Sequence, residues 1–220
     1  MSAFGPEALL FDMDGLLLDS ERVYLDAGIA VMRPYGVSDE ASRAFFLTLV
    51  GTSSALADQL IEDWLPAGID METFNETWFA EVEAQMAAHV PVMRDVAEGL
   101  EQLNGRLPMA VVTSTETQKA KGHLAGGGLL DHFAFVLGCD QVAAHKPDPM
   151  PYLEAARRIG VPPGRCAAFE DSDKGITAAM GAGCYGIQIP DLRPADAKLP
   201  QLGQHVAADF RAALLHLALI

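Results

Sequence analysis

A short apolar run, Ala8–Phe11, leads directly into the acidic segment Asp12-Met13-Asp14-Gly15. Such a run is typical of a buried strand in a parallel sheet, and in open α/β sheets ligands bind at the carboxyl ends of the strands. Two carboxylates two residues apart on an extended segment point to the same side and repel each other unless a cation is present. The segment therefore predicts an oxygen-rich site for a hard cation such as Mg²⁺, with a simple polar turn as the alternative.

Four further apolar runs with the character of buried strands alternate with helical segments along the chain. They are Pro108–Val112, Phe135–Leu137, Cys166–Phe169 and Tyr185–Ile189. This alternation predicts a parallel sheet covered by helices on both faces. One helix is expected to open at Pro149-Met150-Pro151 and to stop at Gly160, and another to begin with Asp173 as its cap and to close near Gly181.

The first two predicted strands are separated by about 95 residues, which is too many for a single crossover helix. Amphipathic patterns in this interval predict four helices, at Glu21–Met32, Asp39–Leu47, Ser54–Trp64 and Met71–Ala88. The predicted fold is thus α/β, a doubly wound parallel sheet with a Rossmann-like core formed by residues 1–19 and 92–220. An α-helical cap domain, residues 20–91, is inserted into that core, where it would shed water and choose substrates.

Composition narrows the classes of partner. The net charge is −15, with 30 acids against 15 Lys and Arg, which argues against nucleic acid. No apolar stretch reaches the roughly 18 residues of a membrane span, and the start of the chain does not resemble a signal peptide. The three cysteines, Cys139, Cys166 and Cys184, are expected to be reduced thiols. We therefore expect a cytoplasmic monomer with no membrane or nucleic-acid partner.

Polar groups also follow three other predicted strands. Val111-Val112-Thr113-Ser114-Thr115 ends one strand in hydroxyls. With free N–H groups at a helix start, these hydroxyls would form a phosphate-binding corner; plain N-capping is the alternative. Lys146 stands in a proline-bracketed loop and suits a phosphate oxygen, although a surface lysine is the simpler interpretation. Glu170-Asp171 is a second acidic pair at a strand end, or else a solvated turn. Together, acids, a metal, hydroxyls and one lysine form a site for phosphoryl transfer.

These motifs, in this order over nearly the whole chain, resemble those of the haloacid dehalogenase-like hydrolase superfamily. The insertion after the first motif resembles its helical-cap branch, which contains β-phosphoglucomutase-like and phosphoglycolate phosphatase-like enzymes. The motifs are Asp12-Met13-Asp14-Gly15, Thr113, Lys146 and Glu170-Asp171.

The resemblance implies a role for each motif residue. Asp12 would be the nucleophile that forms an aspartyl-phosphate, and Asp14 the general acid and then the general base. Thr113 and Ser114 would bind phosphate oxygens, and Lys146 would stabilise both Asp12 and the phosphoryl charge.

The same resemblance implies an Mg²⁺ cofactor. Its ligands would be Asp12, the main-chain carbonyl of Asp14 and Asp171, with Glu170 as a supporting acid. The expected function is a phosphoric monoester hydrolase acting on small phosphorylated metabolites, such as sugar, polyol, glycolate or nucleoside monophosphates.

Two alternatives stay open, a phosphosugar mutase of the β-phosphoglucomutase type and a non-catalytic binding module. Against the mutase, Tyr24 stands where that group has a cap histidine. In addition, Thr52-Ser53-Ser54 after Gly51 offers no cation for a second phosphate. Residues 20–91 contain no lysine, which argues against Schiff-base chemistry of the phosphonatase type.

Overall fold

The computed structural model describes residues 4–49, 54–193 and 198–220. The chain divides into two compact units by its internal contacts. One, here called the sheet unit, consists of Met1–Asp19, Pro91–Asp191 and Lys198–Ile220; the other, the helical unit, consists of Ser20–Val90 and Leu192–Ala197. The roles of catalytic core and cap remain predictions for these two units.

The helical unit contains four α-helices near the predicted positions, α1 (Ser20–Met32), α2 (Asp39–Leu49), α3 (Ser54–Trp64) and α4 (Met71–Ala88). Their apolar faces meet around Phe46 and Phe74, which are both almost fully buried. Tyr24 packs edge-on against Trp78, whose indole N–H donates to the Tyr24 carbonyl at 2.8 Å. Tyr24 therefore has a packing role in this unit. The predicted contrast with mutases at Gly51, Thr52 and Ser53 lies outside the described residues.

The sheet unit contains a six-stranded, entirely parallel sheet in the order β3-β2-β1-β4-β5-β6. The predicted fold class is thereby confirmed. The strands are β1 (Ala8–Phe11), β2 (Met109–Val112), β3 (Phe135–Leu137), β4 (Cys166–Glu170), β5 (Tyr185–Gln188) and β6 (His205–Val206).

Five of these strands match predicted apolar runs to within a residue at each end, but β6 was not predicted. It consists of two residues at the edge of the sheet, one of them the exposed Val206, and such a segment carries no apolar pattern.

Five α-helices accompany the sheet, α5 (Val96–Leu103), α6 (Thr117–Gly126), α7 (Met150–Ile159), α8 (Asp173–Gly181) and α9 (Phe210–His216). Helix α7 begins and ends as its prolines and Gly160 predict. The predicted cap of α8 was wrong by one residue, because Ser172 is the N-cap and its hydroxyl accepts the N–H of Gly175 at 3.0 Å. No helix within the described ranges combines the length and apolar character that crossing a membrane requires.

The chain leaves the sheet unit after Asp19 and returns at Pro91, and the two connecting segments pair with each other. Leu18 forms an antiparallel bridge with Val92. The Asp19 N–H donates to the Pro91 carbonyl at 3.0 Å, and the Met93 N–H donates to the Leu17 carbonyl at 2.9 Å. The exit and the return are thus fixed side by side by main-chain hydrogen bonds.

Candidate active site

The strand order places the predicted site at the point where the direction of winding reverses. The chain progresses from β1 outward to β2 and β3, then crosses back to β4 on the other side of β1. In open α/β sheets, the crevice at such a switch point is where ligands bind. Asp12 follows β1 directly and Glu170 ends β4, so both carboxylates flank this crevice. The Asp12 N–H continues the pairing by donating to the Phe169 carbonyl at 3.0 Å.

Asp14 lies beside the hydroxyls that follow β2. The Thr115 hydroxyl donates to Asp14 Oδ2 at 2.9 Å, and the Thr113 hydroxyl lies 3.5 Å from the same oxygen. Gly15 has a φ of 77°, a left-handed conformation that favours glycine, and it turns the chain immediately after Asp14. Asp14 therefore sits at a tight turn, and hydroxyls that follow the neighbouring strand β2 hold its carboxyl group.

Lys146 reaches into the crevice from the loop before α7. Its Nζ lies 2.5 Å from Asp12 Oδ1 and 2.6 Å from Glu170 Oε1, and it donates to the Val112 carbonyl at 2.8 Å. Only 6% of the lysine side chain is exposed. The three contacts match the three N–H donors of an ammonium group. The simpler interpretation of Lys146 as a surface lysine is therefore wrong.

Glu170 is completely buried and held on both of its oxygens. Oε1 accepts from Lys146 and from the Tyr152 hydroxyl, while the Ser172 hydroxyl lies 3.4 Å from Oε2. A Cβ at Gly175 would lie 1.8 Å from Oε2, so only glycine permits this close approach. The alternative of a solvated turn at Glu170-Asp171 is therefore wrong for Glu170.

Carboxylate oxygens of Asp12, Glu170 and Asp171 lie within 4.8 Å of one another, close enough to hold one metal ion. Asp12 and Glu170 are buried and Asp171 is partly buried. Asp12 and Asp171 are two of the predicted metal ligands, and Glu170 is the acid predicted to support them. An all-oxygen donor set of this kind suits Mg²⁺.

The burial of these charges shifts the pKa values of the site. Burial raises the pKa of Asp12 to about 8, and the carboxylates of Glu170 and Asp14 add to this effect while Lys146 opposes it. Burial lowers the pKa of Lys146, but Asp12 and Glu170 outweigh burial, and the net shift of its pKa is upward. Lys146 therefore stays charged, and an added cation would favour the carboxylate form of Asp12.

The predicted phosphate-binding corner differs in detail from the structure. Helix α6 begins at Thr117, beyond the predicted hydroxyls, and two N–H groups at its approach already have protein acceptors. The Thr115 N–H donates to the Thr113 hydroxyl at 3.0 Å, and the Thr117 N–H donates to Asp140 Oδ1 at 2.7 Å. Ser114 is exposed to solvent next to them. Phosphate binding by Thr113 and Ser114 remains a prediction.

Two residues of this site, Thr115 and Tyr152, were not given a role from the sequence. Thr115 stands two residues after Thr113, so the run of hydroxyls was a usable signal for it. Tyr152 was assigned only to a helix, and nothing in its local sequence indicates that its hydroxyl meets Glu170. All of the site residues described above belong to the sheet unit.

Comparison with known proteins gives concordant matches. The model of the haloacid dehalogenase-like hydrolase family matches residues 9–189. Fructose-1-phosphate phosphatase YqaB of Escherichia coli (strain K12) is 33% identical over 181 residues, covering 82% of this chain and 95% of that protein. The phosphorylated carbohydrates phosphatase of Thermotoga maritima is 30% identical over 187 residues, covering 82% of this chain and 85% of that protein.

Among solved structures, a hydrolase of the same family from Deinococcus radiodurans R1, with bound phosphate and sodium, superimposes with a TM-score of 0.80. It is 25% identical and covers 100% of this chain and 99% of its own. The matched residues run from β1 through β5 and contain every motif acid, hydroxyl and lysine described above. Sequence, strand order and site geometry therefore agree that the chain belongs to the haloacid dehalogenase-like hydrolase family.

Proposed function

We propose that this chain is an Mg²⁺-dependent phosphatase of small phosphomonoesters that works through an aspartyl-phosphate. The relatives named as phosphatases confirm the predicted enzyme class, a phosphoric monoester hydrolase. The main support for the metal dependence and the aspartyl-phosphate is that Asp12, Lys146 and Asp171 come together at one switch point of the sheet. Phosphoryl transfer needs positioning and charge neutralisation above all, and these residues supply both.

Mg²⁺ would be held by Asp12, Asp171 and the main-chain carbonyl of Asp14, with Glu170 as a further candidate ligand. Two features of these residues suit Mg²⁺. Their ligand atoms are all oxygens, and the raised pKa of Asp12 reflects buried acids whose charged forms a cation would stabilise. When bound, Mg²⁺ neutralises negative charge on the oxygens of the transferring phosphoryl group.

In the proposed reaction, a carboxylate oxygen of Asp12 attacks phosphorus, and the bond between phosphorus and the ester oxygen breaks. Asp14 gives its proton to the leaving alcohol. Asp14 then takes a proton from water, whose oxygen attacks phosphorus and breaks the bond to Asp12. Inorganic phosphate leaves, and both aspartates return to their starting forms.

The remaining residues of the site would orient the reacting groups. Lys146 keeps Asp12 in place and offers positive charge beside the transferred phosphoryl group. Thr115 fixes the carboxyl of Asp14 that exchanges the proton. Thr113 and Ser114 would donate their hydroxyls to phosphate oxygens.

The test is a screen of sugar, polyol, glycolate and nucleoside monophosphates for release of phosphate, with Mg²⁺ and with a chelator. We expect Mg²⁺-dependent release that Asp12→Asn abolishes, because an amide is a very poor nucleophile. Asp131→Asn is the matched control, since this exposed aspartate precedes the edge strand β3, whereas the site residues follow the carboxyl ends of the central strands.

Retention of more than about one per cent of activity by Asp12→Asn, without deamidation back to aspartate, would contradict the nucleophile assignment. Isomerised product formed in the presence of a hexose bisphosphate activator would instead favour the mutase. The absence of turnover on every ester would favour the binding module.

A further inference from the structure

Tyr152 on α7 is completely buried, yet it carries a hydroxyl into an apolar cluster. Its neighbours in that cluster include Ala155 and Ala156 of the same helix and Ala168 of β4. A phenylalanine would fill this space equally well, and burying a hydroxyl is costly unless it finds a partner. The hydroxyl therefore needs an explanation beyond packing.

The partner of this hydroxyl is Glu170, the acid that holds Lys146. Tyr152 donates to Oε1 of Glu170, the same oxygen that lies 2.6 Å from Lys146 Nζ. The Tyr152 ring also lies under the ammonium group, with 5.4 Å from Nζ to the ring centroid. One side chain thus contacts both members of the buried ion pair next to Asp12.

The geometry leaves Glu170 little freedom while these contacts persist. Gly175 and Ser172 enclose its Oε2, and Tyr152 fixes its Oε1 from the other side. Lys146 in turn spans the distance from this carboxylate to Asp12 Oδ1. A rotation of Glu170 would therefore draw the lysine ammonium away from Asp12.

We propose that Tyr152 is a positioning residue for the proposed phosphatase reaction, acting through Glu170 to hold Lys146 against Asp12. This inference rests on the proposed function. Burial raises the pKa of Tyr152 well above its ordinary value, and the charges of Glu170 and Asp12 add to the shift. The hydroxyl therefore keeps its proton and stays a hydrogen-bond donor at every pH at which the enzyme would work.

The test compares two substitutions of Tyr152 with one remote control. Tyr152→Phe removes the hydroxyl but keeps the ring near Lys146, whereas Tyr152→Leu removes both contacts. Tyr185→Phe removes a hydroxyl from the first residue of β5, at the amino end of the strand and away from the carboxyl ends that carry the site, where it bonds to His216 at 2.8 Å. Each variant is assayed at a temperature at which circular dichroism shows it fully folded.

We expect Tyr152→Phe to lower kcat about 10-fold and Tyr152→Leu about 100-fold, the range found when supporting residues of an active site are lost. The KM for the phosphomonoester should stay within about twofold, because Tyr152 acts on the nucleophile and its lysine rather than on substrate binding. Tyr185→Phe should leave both constants unchanged.

The outcomes separate this inference from the proposed function. Wild-type protein without phosphatase activity contradicts the proposed function and this inference with it. Active wild-type protein with an unchanged kcat in Tyr152→Phe overturns the positioning role alone. A rise in KM with kcat unchanged, or a Tyr152→Phe protein that does not fold, would assign the hydroxyl to binding or to stability, and either result would also overturn it.

Discussion

Helix α7 separates two ion pairs of almost equal length in opposite surroundings. On its inner side, Lys146 Nζ lies 2.6 Å from Glu170 Oε1, with 6% and 0% of these side chains exposed. On its outer side, Arg157 Nε lies 2.8 Å from Glu154 Oε2, and 71% of the arginine side chain is exposed. Distance alone does not distinguish the two pairs. Exposure to solvent decides what each pair contributes to stability, because water screens the charges of the outer pair and is excluded from the inner pair.

The largest expected effect comes from breaking the inner pair. Lys146→Met removes the ammonium but fills much of its volume, and it leaves the buried Asp12 and Glu170 without their cation. We expect activity to be lost and the free energy of unfolding to fall by about 3–5 kcal/mol, as for other buried pairs that lose one partner. Denaturant unfolding without Mg²⁺ measures this change.

The exposed Lys174, on α8, provides the matched control for this change. Lys174→Met should alter the free energy of unfolding by less than about 0.5 kcal/mol. Equal stability losses in the two variants would contradict the expectation that the buried lysine contributes more to the free energy of unfolding than an exposed one.

The second effect concerns the acids around the same crevice. Asp171→Ala should raise the Mg²⁺ concentration needed for half-maximal activity at least about 10-fold. It should also modestly stabilise the metal-free protein, since one of several clustered acids is gone. Metal titration of activity and unfolding in chelator measure the two changes. An unchanged titration would assign the ligand to Glu170 or Asp173.

A second phosphate group on the substrate would need a cation from the predicted cap. The predicted cap, residues 20–91, contains Arg22, Arg33 and Arg43 but no lysine. Arg33 bonds to Asp39 at 2.7 Å and Arg43 to Asp26 at 3.1 Å, so two of the three arginines already face acids.

We therefore expect monophosphates with neutral leaving groups to have higher kcat/KM than matched bisphosphates. A second phosphate buried without a cation loses hydration worth several kcal/mol. The matched pair is a sugar monophosphate and its bisphosphate, measured at the same ionic strength. A clear preference for the bisphosphate would show that one of the arginines reaches the site.

The smallest effect is expected from the outer pair. Glu154→Gln should leave activity and the melting temperature unchanged within error, because both arginine partners lie at the surface. Hydrogen bonds from Arg157 and Arg158 lower the pKa of Glu154 to about 2. Whatever stability this carboxylate contributes is thus present above its ordinary pKa and lost as the pH falls towards 2.

Thermal unfolding of the wild type and of Glu154→Gln at neutral pH and at pH 3 would measure that contribution. If Glu154→Gln lost as much stability as Lys146→Met, exposure to solvent would not explain the difference between the two ion pairs.

Much of the fold could be predicted because five of its strands are buried along most of their length. These strands appear in the sequence as mainly apolar runs, and the helical insertion follows from the distance between the first two. Strand β6 and helices α5 and α9 were not predicted, because they are short, with two, eight and seven residues respectively. The edge strand β6 exists only through its pairing with β5. Such pairing between separate segments of the chain leaves no pattern in the local sequence.

The sequence was sufficient to predict which residues come together in the site. It was not sufficient to predict the hydrogen bonds that hold their side chains in place. Parallel topology brings the ends of β1, β2 and β4 together, so Asp12, Thr113 and Glu170 follow from strand ends alone. The contact between Tyr152 and Glu170 depends on how α7 packs on the sheet. The hydrogen bond from the Thr117 N–H to Asp140 similarly joins the start of α6 to a 3-10 turn after β3, and it occupies one of the N–H groups that were predicted to bind phosphate. Such contacts arise from tertiary packing and have no periodic signal.

Because Leu18 pairs with Val92, the helical insertion could in principle be exchanged for a different segment without disturbing the sheet unit. Main-chain hydrogen bonds hold the exit and the return of the chain side by side, as they hold the two ends of a hairpin loop. The entropic cost of closing a loop grows only slowly with its length, so insertions of different size and sequence can occupy this position. Evolution could therefore replace the helical segment while the strand ends that carry the acids stay as they are.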